Sequence, residues 1–312
     1  MAKSQCTASY TIIQPDTCAG TPIQFNGSFN PVSPNLVWHW YFEAGSTSSL
    51  QNAVHTYNPA PGSGIVNYID TLIVTDTITG CSDTVTFTVT VKQKPNAVLI
   101  DLFGGTPFTN CNSIPGNYVL TVDDGSSPAV NSNYQISWGG GLPPLNYNSS
   151  SPPAGEVHTY NALGFFNLVY TVTGTNGCVD NTTYQVFNGN APAVGIGINQ
   201  NPSGCTPLSL DILILNTAAN PPGTTYTIHF TDGTPDLVLT HPPPPSITHQ
   251  FNSTSCGYSC NGFGNAFCAT ITAQNPCASS FAIVGPIYVS SQAGTNFVTN
   301  PANIGCSNAP VT

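Results

Sequence analysis

Basic side chains are almost absent from this sequence. Its 312 residues include 3 Lys+Arg against 13 Asp+Glu, and charged residues of all kinds make up 5% of the chain. Nucleic acids and anionic membrane surfaces are bound through clusters of lysine and arginine. The composition therefore argues against a nucleic-acid partner and against attachment to a charged membrane surface.

Long apolar runs are missing too. No stretch is apolar over the roughly 20 residues that a transmembrane helix needs, so we predict no direct membrane insertion. The N-terminal segment 1–6 also lacks the apolar core of a secretory signal. We therefore expect either that a signal has been removed or that the sequence belongs to a longer protein.

Recognisable catalytic and metal-binding motifs are absent as well. No nucleophile, base and orienting acid recur in a pattern, so we predict no catalytic residues and no enzymatic activity. The 11 cysteines include no Cys-x-x-Cys pair, which favours disulfide bonds over a metal site. Disulfide bonds persist in oxidising compartments, so the predicted location is extracellular, and no cofactor is predicted.

A repeated β-hairpin pattern dominates what the sequence does contain. An alternating apolar run at 165–172 ends in an Asn-Gly turn and a cysteine, and a second alternating run follows at 184–187. This is the pattern of a hairpin with one buried face, and it recurs at 72–91 and 269–284. The turn cysteines of the three copies are Cys81, Cys178 and Cys277. A period of about 100 residues corresponds to one small β-domain per repeat.

A second cysteine series runs in phase with the first. Each repeat opens with a predicted strand followed by a cysteine, at Cys18, Cys111 and Cys205. Two series in phase predict one disulfide bond within each repeat. The expected pairs are Cys18 with Cys81, Cys111 with Cys178, and Cys205 with Cys277. Each bond should stabilise its domain by about 4 kcal/mol in the chain-entropy model.

Five cysteines lie outside these two series. An insertion in the third repeat contains Cys256, Cys260 and Cys268, which predicts one local bridge and leaves its pairing open. Cys6 and Cys306 have no expected partner.

A central strand with large residues at alternate positions follows in each copy. In the first copy, Trp38, Trp40 and Phe42 fall on one face of the predicted strand. The corresponding residues of the later copies are Tyr134, Ile136 and Trp138, then Tyr226, Ile228 and Phe230. We predict that this face forms the core of each domain.

A histidine recurs after the central strand, at His55, His158 and His249. These three residues lie in different repeats, whereas a metal site requires side chains that converge. We therefore predict a structural role for them and no metal ligands.

This succession resembles the PKD domain, an immunoglobulin-like β-sandwich. Phe230-Thr231-Asp232-Gly233 corresponds to the Phe-Gly-Asp-Gly element of that family, and residues 158–172 correspond to its His-x-Tyr and Gly-x-Tyr-x-Val elements. With the added cysteines and the low-charge Thr/Asn/Gly background, the chain also resembles repeats of giant surface adhesins of gliding Bacteroidota, of the SprB type, exported by type 9 secretion. The resemblance implies an all-β fold of tandem PKD-like sandwiches.

The repeat period sets the predicted domains. They are repeat 1 at 1–94, repeat 2 at 95–191, repeat 3 at 192–291, and the start of an incomplete fourth repeat at 292–312. The links between them are short and contain proline, which predicts a semi-rigid, extended rod.

Two kinds of surface site remain open from the sequence. Asp123, Asp124 and Asp232 lie in predicted loops and carry the oxygen ligands that calcium prefers, although scattered surface acids are the commoner case. Thr71, Thr77 and Thr84 each follow an aspartate and precede an apolar residue, a pattern that resembles the O-glycosylation signal of Bacteroidota. Chance in a threonine-rich strand explains that pattern equally well.

Together these features predict a non-enzymatic cell-surface adhesin or stalk segment, in which disulfide-stapled repeats act as a spacer and adhesion module. Gliding motility is the process that the resemblance implies. The expected partners are a surface polysaccharide or another cell-surface ligand, and further repeats or neighbouring subunits. One alternative is a filament subunit in which residues 293–312 supply a strand to the next molecule. Another is a carbohydrate-binding accessory region of a secreted hydrolase, which would need exposed aromatic residues.

Overall fold

The computed structural model describes residues 6–103, 105–112, 117–128 and 131–291. Regular structure in these residues is β-strand, apart from one 3-10 turn at Glu43–Gly45. The described chain accordingly has no helix with the length and hydrophobicity to cross a bilayer.

The strands fall into three consecutive sets. The first set is β1 Thr7–Ile13, β2 Thr17–Cys18, β3 Pro22–Asn30, β4 Leu36–Tyr41, β5 Thr47–Ser48, β6 Asn52–Thr56, β7 Ile65–Asp76 and β8 Ser82–Lys92. The second set is β9 Leu99–Asp101, β10 Thr109–Asn110, β11 Tyr118–Asp124, β12 Asn133–Ser137, β13 Leu145–Asn148, β14 Glu156–Tyr160, β15 Gly164–Thr173 and β16 Val179–Asn188. The third set is β17 Gly195–Ile198, β18 Ser203–Cys205, β19 Leu208–Leu215, β20 Thr225–Phe230, β21 Leu237–Thr240, β22 Ser246–Phe251, β23 Ser259–Cys260, β24 Phe263–Gly264, β25 Phe267–Asn275 and β26 Ala278–Ser290.

All three sets have the same strand order. The first forms a three-stranded sheet, β1-β3-β6, and a five-stranded sheet, β2-β8-β7-β4-β5. The second forms β9-β11-β14 and β10-β16-β15-β12-β13, and the third forms β17-β19-β22 and β18-β26-β25-β20-β21 with an added β23-β24 hairpin. The predicted all-β fold of tandem immunoglobulin-like sandwiches is therefore confirmed. We refer to the three sets as the first, second and third sandwich.

The chain divides into two compact units, and the division passes through the second sandwich. Unit 1 consists of Met1–Leu102, Thr121–Glu156 and Asn167–Tyr184. Unit 2 consists of Phe103–Leu120, Val157–Phe166 and Gln185–Thr312. The first sandwich thus lies in unit 1 and the third in unit 2. The predicted repeat boundaries stay predictions, and the predicted fourth repeat lies outside the described residues.

The core of the first sandwich lies between its two sheets. Trp38 and Trp40 of β4 are buried together with Ile23 and Phe25 of β3, and the rings of Trp40 and Phe25 lie 5.7 Å apart. The alternation predicted for the central strands is confirmed, since every predicted core residue is buried. These residues are Trp38, Trp40, Phe42, Tyr134, Ile136, Trp138, Tyr226, Ile228 and Phe230.

A long hairpin in each five-stranded sheet separates the two cysteine series. In the first sandwich, β7 and β8 pair antiparallel, and the turn between them carries Cys81. The short strand β2 pairs in parallel with the other end of β8, where Cys18 lies opposite Lys92. The second and third sandwiches have equivalent parallel pairs, β10 with β16 and β18 with β26. Each sandwich therefore presents one cysteine position near each end of its last strand.

Candidate functional site

The disulfide bonds of the described chain differ from the predicted pairing. Cys18 is bonded to Cys178 and Cys111 to Cys277, in each case across two successive sandwiches. Cys81, the expected partner of Cys18, is bonded to Cys6 instead. The predicted pairs Cys18–Cys81, Cys111–Cys178 and Cys205–Cys277 are therefore wrong.

Strand length explains this difference. Cys18 lies beside the C-terminal end of β8, whereas Cys81 immediately precedes the N-terminal end of the same strand. At about 3.3 Å per residue, β8 holds the two cysteines about 35 Å apart. A disulfide bond needs Cα atoms within about 7 Å. The first cysteine of a sandwich is thus out of reach of its own turn cysteine, and the turn of the next sandwich supplies the partner.

Polar contacts within unit 1 surround the bond between Cys18 and Cys178. The side-chain amide of Asn176 donates hydrogen bonds to the backbone oxygens of Gln93, at 2.7 Å, and Gly64, at 3.0 Å. The side-chain oxygen of Asn176 accepts a hydrogen bond from the Cys178 amide at 3.0 Å. Asn176 therefore fixes the shape of the turn and docks it on the segment that leaves the first sandwich.

An ion pair lies next to this junction. Lys94 Nζ lies 2.9 Å from Asp180 Oδ1, and Asp180 Oδ2 accepts a hydrogen bond from the Ala97 amide at 3.0 Å. Lys92 pairs with Asp16 at 2.9 Å. Two of the three basic residues in the chain therefore lie at the end of β8 and on the link that follows it.

Unit 2 repeats this arrangement around the bond between Cys111 and Cys277. The side-chain amide of Asn275 donates a hydrogen bond to the backbone oxygen of Asn190 at 3.0 Å, and its oxygen accepts one from the Cys277 amide at 3.0 Å. Asn275 stands two residues before Cys277, as Asn176 stands two residues before Cys178. Both junctions thus combine a disulfide bond with a docking asparagine.

The remaining described cysteines lie in the third sandwich. Cys260 is bonded to Cys268 within the insertion, and Cys256 is also disulfide-bonded. Cys205 is exposed and is the one described cysteine without a bond. Cys306 lies outside the described residues.

The recurring histidines pack on aromatic rings of the cores. The ring of His55, in β6, stacks on Phe42 with ring centroids 4.3 Å apart, and its Nε2 lies 2.8 Å from Glu43 Oε2. His158, in β14, meets the ring of Tyr160 edge-on at 4.6 Å, and burial lowers the pKa of His158. These contacts hold each histidine ring in position within its own sandwich.

His249 makes the same contacts as His55. It stacks on Phe230 at a centroid distance of 3.6 Å, and its Nε2 lies 2.9 Å from Asp232 Oδ2. Burial acts to raise the pKa of Asp232, but hydrogen bonds from His249 and Thr234 hold that pKa below its usual value. The carboxylate therefore anchors the histidine ring at the end of the central strand.

The candidate calcium ligands accept hydrogen bonds from the protein. Asp123 Oδ1 accepts one from the Gly155 amide, and Asp124 Oδ1 accepts one from the Tyr170 hydroxyl at 2.8 Å. Asp232 is engaged by His249, as described above. Within the described ranges, no three His, Cys, Asp or Glu side chains are grouped closely enough to hold a metal ion. Calcium binding was left open by the sequence and is still untested.

The three candidate glycosylation residues lie in the first sandwich. Thr77 and Thr84 are exposed, and Thr71 is half-buried in β7. The aspartate before each of them accepts a hydrogen bond within that sandwich: Asp70 from the Tyr57 hydroxyl, Asp76 from the Ile78 amide, and Asp83 from the Ala8 amide. The Asp-Thr pattern thus has a structural explanation, and glycosylation of these threonines, which the sequence left open, is still untested.

Sequence reasoning missed the docking asparagines, although a signal was available. Asn176 and Asn275 each stand two residues before a turn cysteine, whereas Thr79 stands in that position before Cys81. The two turns with asparagine are those that bond a preceding sandwich. The turn with threonine is closed by Cys6.

The comparison with protein families identifies one domain. Residues 8–91 match the family model of the PKD domain. The second and third sandwiches share the strand order of this region. No curated protein matches the chain.

Several solved structures resemble the chain at low sequence identity. A tetra-tandem repeat from the extending region of a large adhesion protein is 12% identical, with 90% of this chain and 73% of that chain covered and a TM-score of 0.28. Three N-terminal domains of the highly immunogenic outer capsid protein of bacteriophage RB49 are 10% identical, with coverage of 93% and 100% and a TM-score of 0.25. A 1.5-MDa bacterial ice-binding adhesin is 13% identical, with coverage of 92% and 98% and a TM-score of 0.23.

Proposed function

We propose that this chain is an extracellular, non-enzymatic stalk segment of a cell-surface adhesion protein. Two disulfide bonds are the main support, because Cys18–Cys178 and Cys111–Cys277 each join one sandwich to the next. A bond of this kind adds little to the shape of a single domain. It prevents two neighbouring domains from being pulled apart along the chain.

The disulfide bonds also support an extracellular location. Bonds of this kind form and persist outside the cytosol, where thiols are not kept reduced. The described cysteines are bonded with the exception of Cys205, so the protein is adapted to such a compartment. Attachment to a cell surface and a part in gliding motility belong to the proposal through the resemblance to gliding adhesins.

The links between sandwiches suit a load-bearing spacer. The side chain of Gln93 donates a hydrogen bond to the Ala60 oxygen at 3.0 Å and accepts one from the Gly64 amide at 3.2 Å. The next residue, Lys94, forms the ion pair with Asp180 and is followed by Pro95. Because hydrogen bonds, an ion pair and a disulfide bond hold this link, the link can extend only slightly while they are intact.

The stalk should hold an adhesive region away from the cell, and the proposed ligand of that region is a surface polysaccharide or another cell-surface molecule. Exposed aromatic side chains, among them Tyr41, Phe165, Phe263 and Phe281, favour the carbohydrate-binding alternative, and they are spread over the three sandwiches. Binding of the purified chain to a glycan array above background would favour that alternative. Strand addition by residues 293–312 stays a hypothesis, because those residues lie outside the described part.

Immunolabelling tests the proposed location and role. Antibodies against the purified chain should label intact cells of the source organism as strongly as permeabilised cells, and in thin sections the label should lie outside the cell boundary. An antibody against a cytoplasmic protein, which labels permeabilised cells only, is the control. Labelling confined to permeabilised cells would contradict the proposed function.

A further inference from the structure

Cys205 occupies the same place in the third sandwich as two bonded cysteines occupy in the earlier ones. It lies opposite Ser290 in the parallel pair β18–β26, as Cys18 lies opposite Lys92 in the pair β2–β8. Cys111 directly follows the equivalent pair β10–β16. In both earlier sandwiches this cysteine is bonded to the next sandwich, whereas Cys205 is exposed and unbonded.

The partner in the two formed junctions has a defined local structure. Cys178 and Cys277 each lie in the turn before the last strand of their sandwich. Asn176 and Asn275 stand two residues earlier, and each accepts a hydrogen bond from the amide of its cysteine at 3.0 Å. Each asparagine also donates to a backbone oxygen of the segment that leaves the preceding sandwich. An Asn-x-Cys turn is therefore the structure that completes such a junction.

The turn of the first sandwich is closed in a different way. Cys81 is bonded to Cys6 of the same sandwich, and Thr79 replaces the docking asparagine. The Thr79 hydroxyl accepts a hydrogen bond from the Cys81 amide at 3.3 Å, but a hydroxyl cannot supply the two amide donors of asparagine. A Thr-x-Cys turn that is already closed by Cys6 does not match the two formed junctions.

We propose that Cys205 forms a disulfide bond with the cysteine of an Asn-x-Cys hairpin turn in a following PKD-like repeat. The turn chemistry is the same whether that repeat belongs to the same polypeptide or to another one. If it belongs to the same polypeptide, its cysteine should stand at a sequence separation from Cys205 similar to the 160 and 166 residues of the two formed bonds. The bond continues the series of covalent junctions beyond the third sandwich.

Formation of this bond is a two-electron oxidation of two thiols. Cys205 and the turn cysteine together lose two protons and two electrons as the sulfur–sulfur bond forms. A disulfide of a thiol–disulfide oxidoreductase accepts them and is reduced to two thiols. The other disulfide bonds of the chain require the same kind of oxidant, so the bond at Cys205 adds no new chemical requirement.

A disulfide map of the native protein from its natural source tests this proposal. Free thiols are alkylated under denaturing conditions without reductant, and cross-linked peptides are identified by mass spectrometry after digestion. The peptide that contains Cys205 should be joined to a peptide with an Asn-x-Cys sequence, and Cys205 should be alkylated only after reduction. A fall in chain mass on reduction would assign the partner to another polypeptide, and an unchanged mass would assign it to the same one.

The exposed position of Cys205 makes Cys205→Ser a suitable variant. It should abolish the linked peptide and leave the peptides that contain Cys18–Cys178 and Cys111–Cys277 in place. Alkylation of Cys205 without reduction would overturn the proposal, and so would a bond from Cys205 to a cysteine outside an Asn-x-Cys turn. Either result would leave the proposed stalk function intact, because that function rests on the two formed junctions and on the location of the antibody label.

Discussion

Single asparagine side chains connect the turn of one sandwich to the chain that leaves another. Asn176 makes three hydrogen bonds, to the backbone of Gln93, Gly64 and Cys178. Removing a side chain of this kind leaves partly buried backbone groups without partners, which costs about 1–2 kcal/mol. The exposed Thr79 is a matched control, because it stands at the equivalent position of its turn and its hydroxyl accepts a hydrogen bond from the Cys81 amide.

Asn176→Ala should therefore lower the free energy of unfolding of unit 1 by about 1–2 kcal/mol, whereas Thr79→Ala should change it by less than about 0.5 kcal/mol. Urea unfolding followed by tryptophan fluorescence measures both, because the three tryptophans, Trp38, Trp40 and Trp138, are buried in unit 1. Equal effects of the two substitutions would contradict the docking role of Asn176.

A buried carboxyl group in the first sandwich gives a prediction about pH. Asp70 is fully buried, its Oδ2 accepts a hydrogen bond from the Tyr57 hydroxyl, and its Oδ1 makes no hydrogen bond with the described residues. Burial raises the pKa of Asp70, although the hydrogen bond from Tyr57 opposes that rise. The folded state thus favours the protonated carboxyl. The protonated carboxyl of Asp70 therefore stabilises the fold fully below its pKa in the unfolded chain, about 3.9. This stabilisation is lost as the pH rises through the pKa of Asp70 in the folded protein.

Asp70→Asn removes this ionisation and keeps an oxygen that can accept the Tyr57 hydrogen bond. The stability of the variant relative to the natural protein should therefore increase as the pH is raised from about 4 to 8. Urea midpoints measured across that range test it. Asp16→Asn is the control, since it removes an exposed carboxylate paired with Lys92 and should change stability by less than about 1 kcal/mol. Parallel pH profiles for Asp70→Asn and the natural protein would show that burial does not raise the pKa of Asp70.

At the scale of strands and bonds, the two kinds of disulfide should differ in effect. The bond between Cys18 and Cys178 closes a loop with a sequence separation of 160, and the bond between Cys260 and Cys268 closes one of 8. The chain-entropy model assigns them about 5 and about 2.5 kcal/mol. Cys178, Cys260 and Cys268 are buried and Cys18 is half-buried, so both bonds are at least partly shielded from solvent.

The double substitution Cys18→Ser with Cys178→Ser should accordingly lower thermal stability more than Cys260→Ser with Cys268→Ser. Differential scanning calorimetry of the two variants under the same buffer conditions measures the difference. A larger loss for the short loop would mean that local packing in the insertion, and not loop length, decides the effect.

Much of the element structure could be predicted from the sequence, because alternation along a strand reports which face is buried. The alternation of Trp38, Trp40 and Phe42 located a central strand, and the turn before Cys178 located a hairpin. The pairing of the cysteines could not be read in this way. Two series with the same period are equally consistent with bonds inside a repeat and bonds between repeats, and only the length of β8 excludes the former.

At the scale of the whole molecule, the bonds shorten the path along which the chain can be stretched. The shortest covalent route from Cys6 to Ser291 crosses to Cys81, follows the chain to Cys111, crosses to Cys277 and runs to Ser291. It contains about 44 residues and has a contour length of about 150 Å, against about 1,000 Å for the reduced chain. A stalk built in this way resists extension even when its sandwiches unfold.

The substitution Cys6→Ser should lengthen this route. It then runs from residue 6 to Cys18, across to Cys178, back to Cys111 and across to Cys277. This route has about 93 residues and a contour length of about 300 Å. The bond between Cys260 and Cys268 lies outside both routes, so removing it should leave the extension unchanged.

Single-molecule force spectroscopy of the full chain, held through tags at its termini, tests the stalk account most directly. Under oxidising conditions the unfolded section between Cys6 and Ser291 should extend to about 150 Å, and Cys6→Ser should about double that length. With reductant the same section should extend to about 1,000 Å. Bonds confined to single sandwiches would instead give about 280 Å, with no effect of Cys6→Ser. That second result would contradict the account.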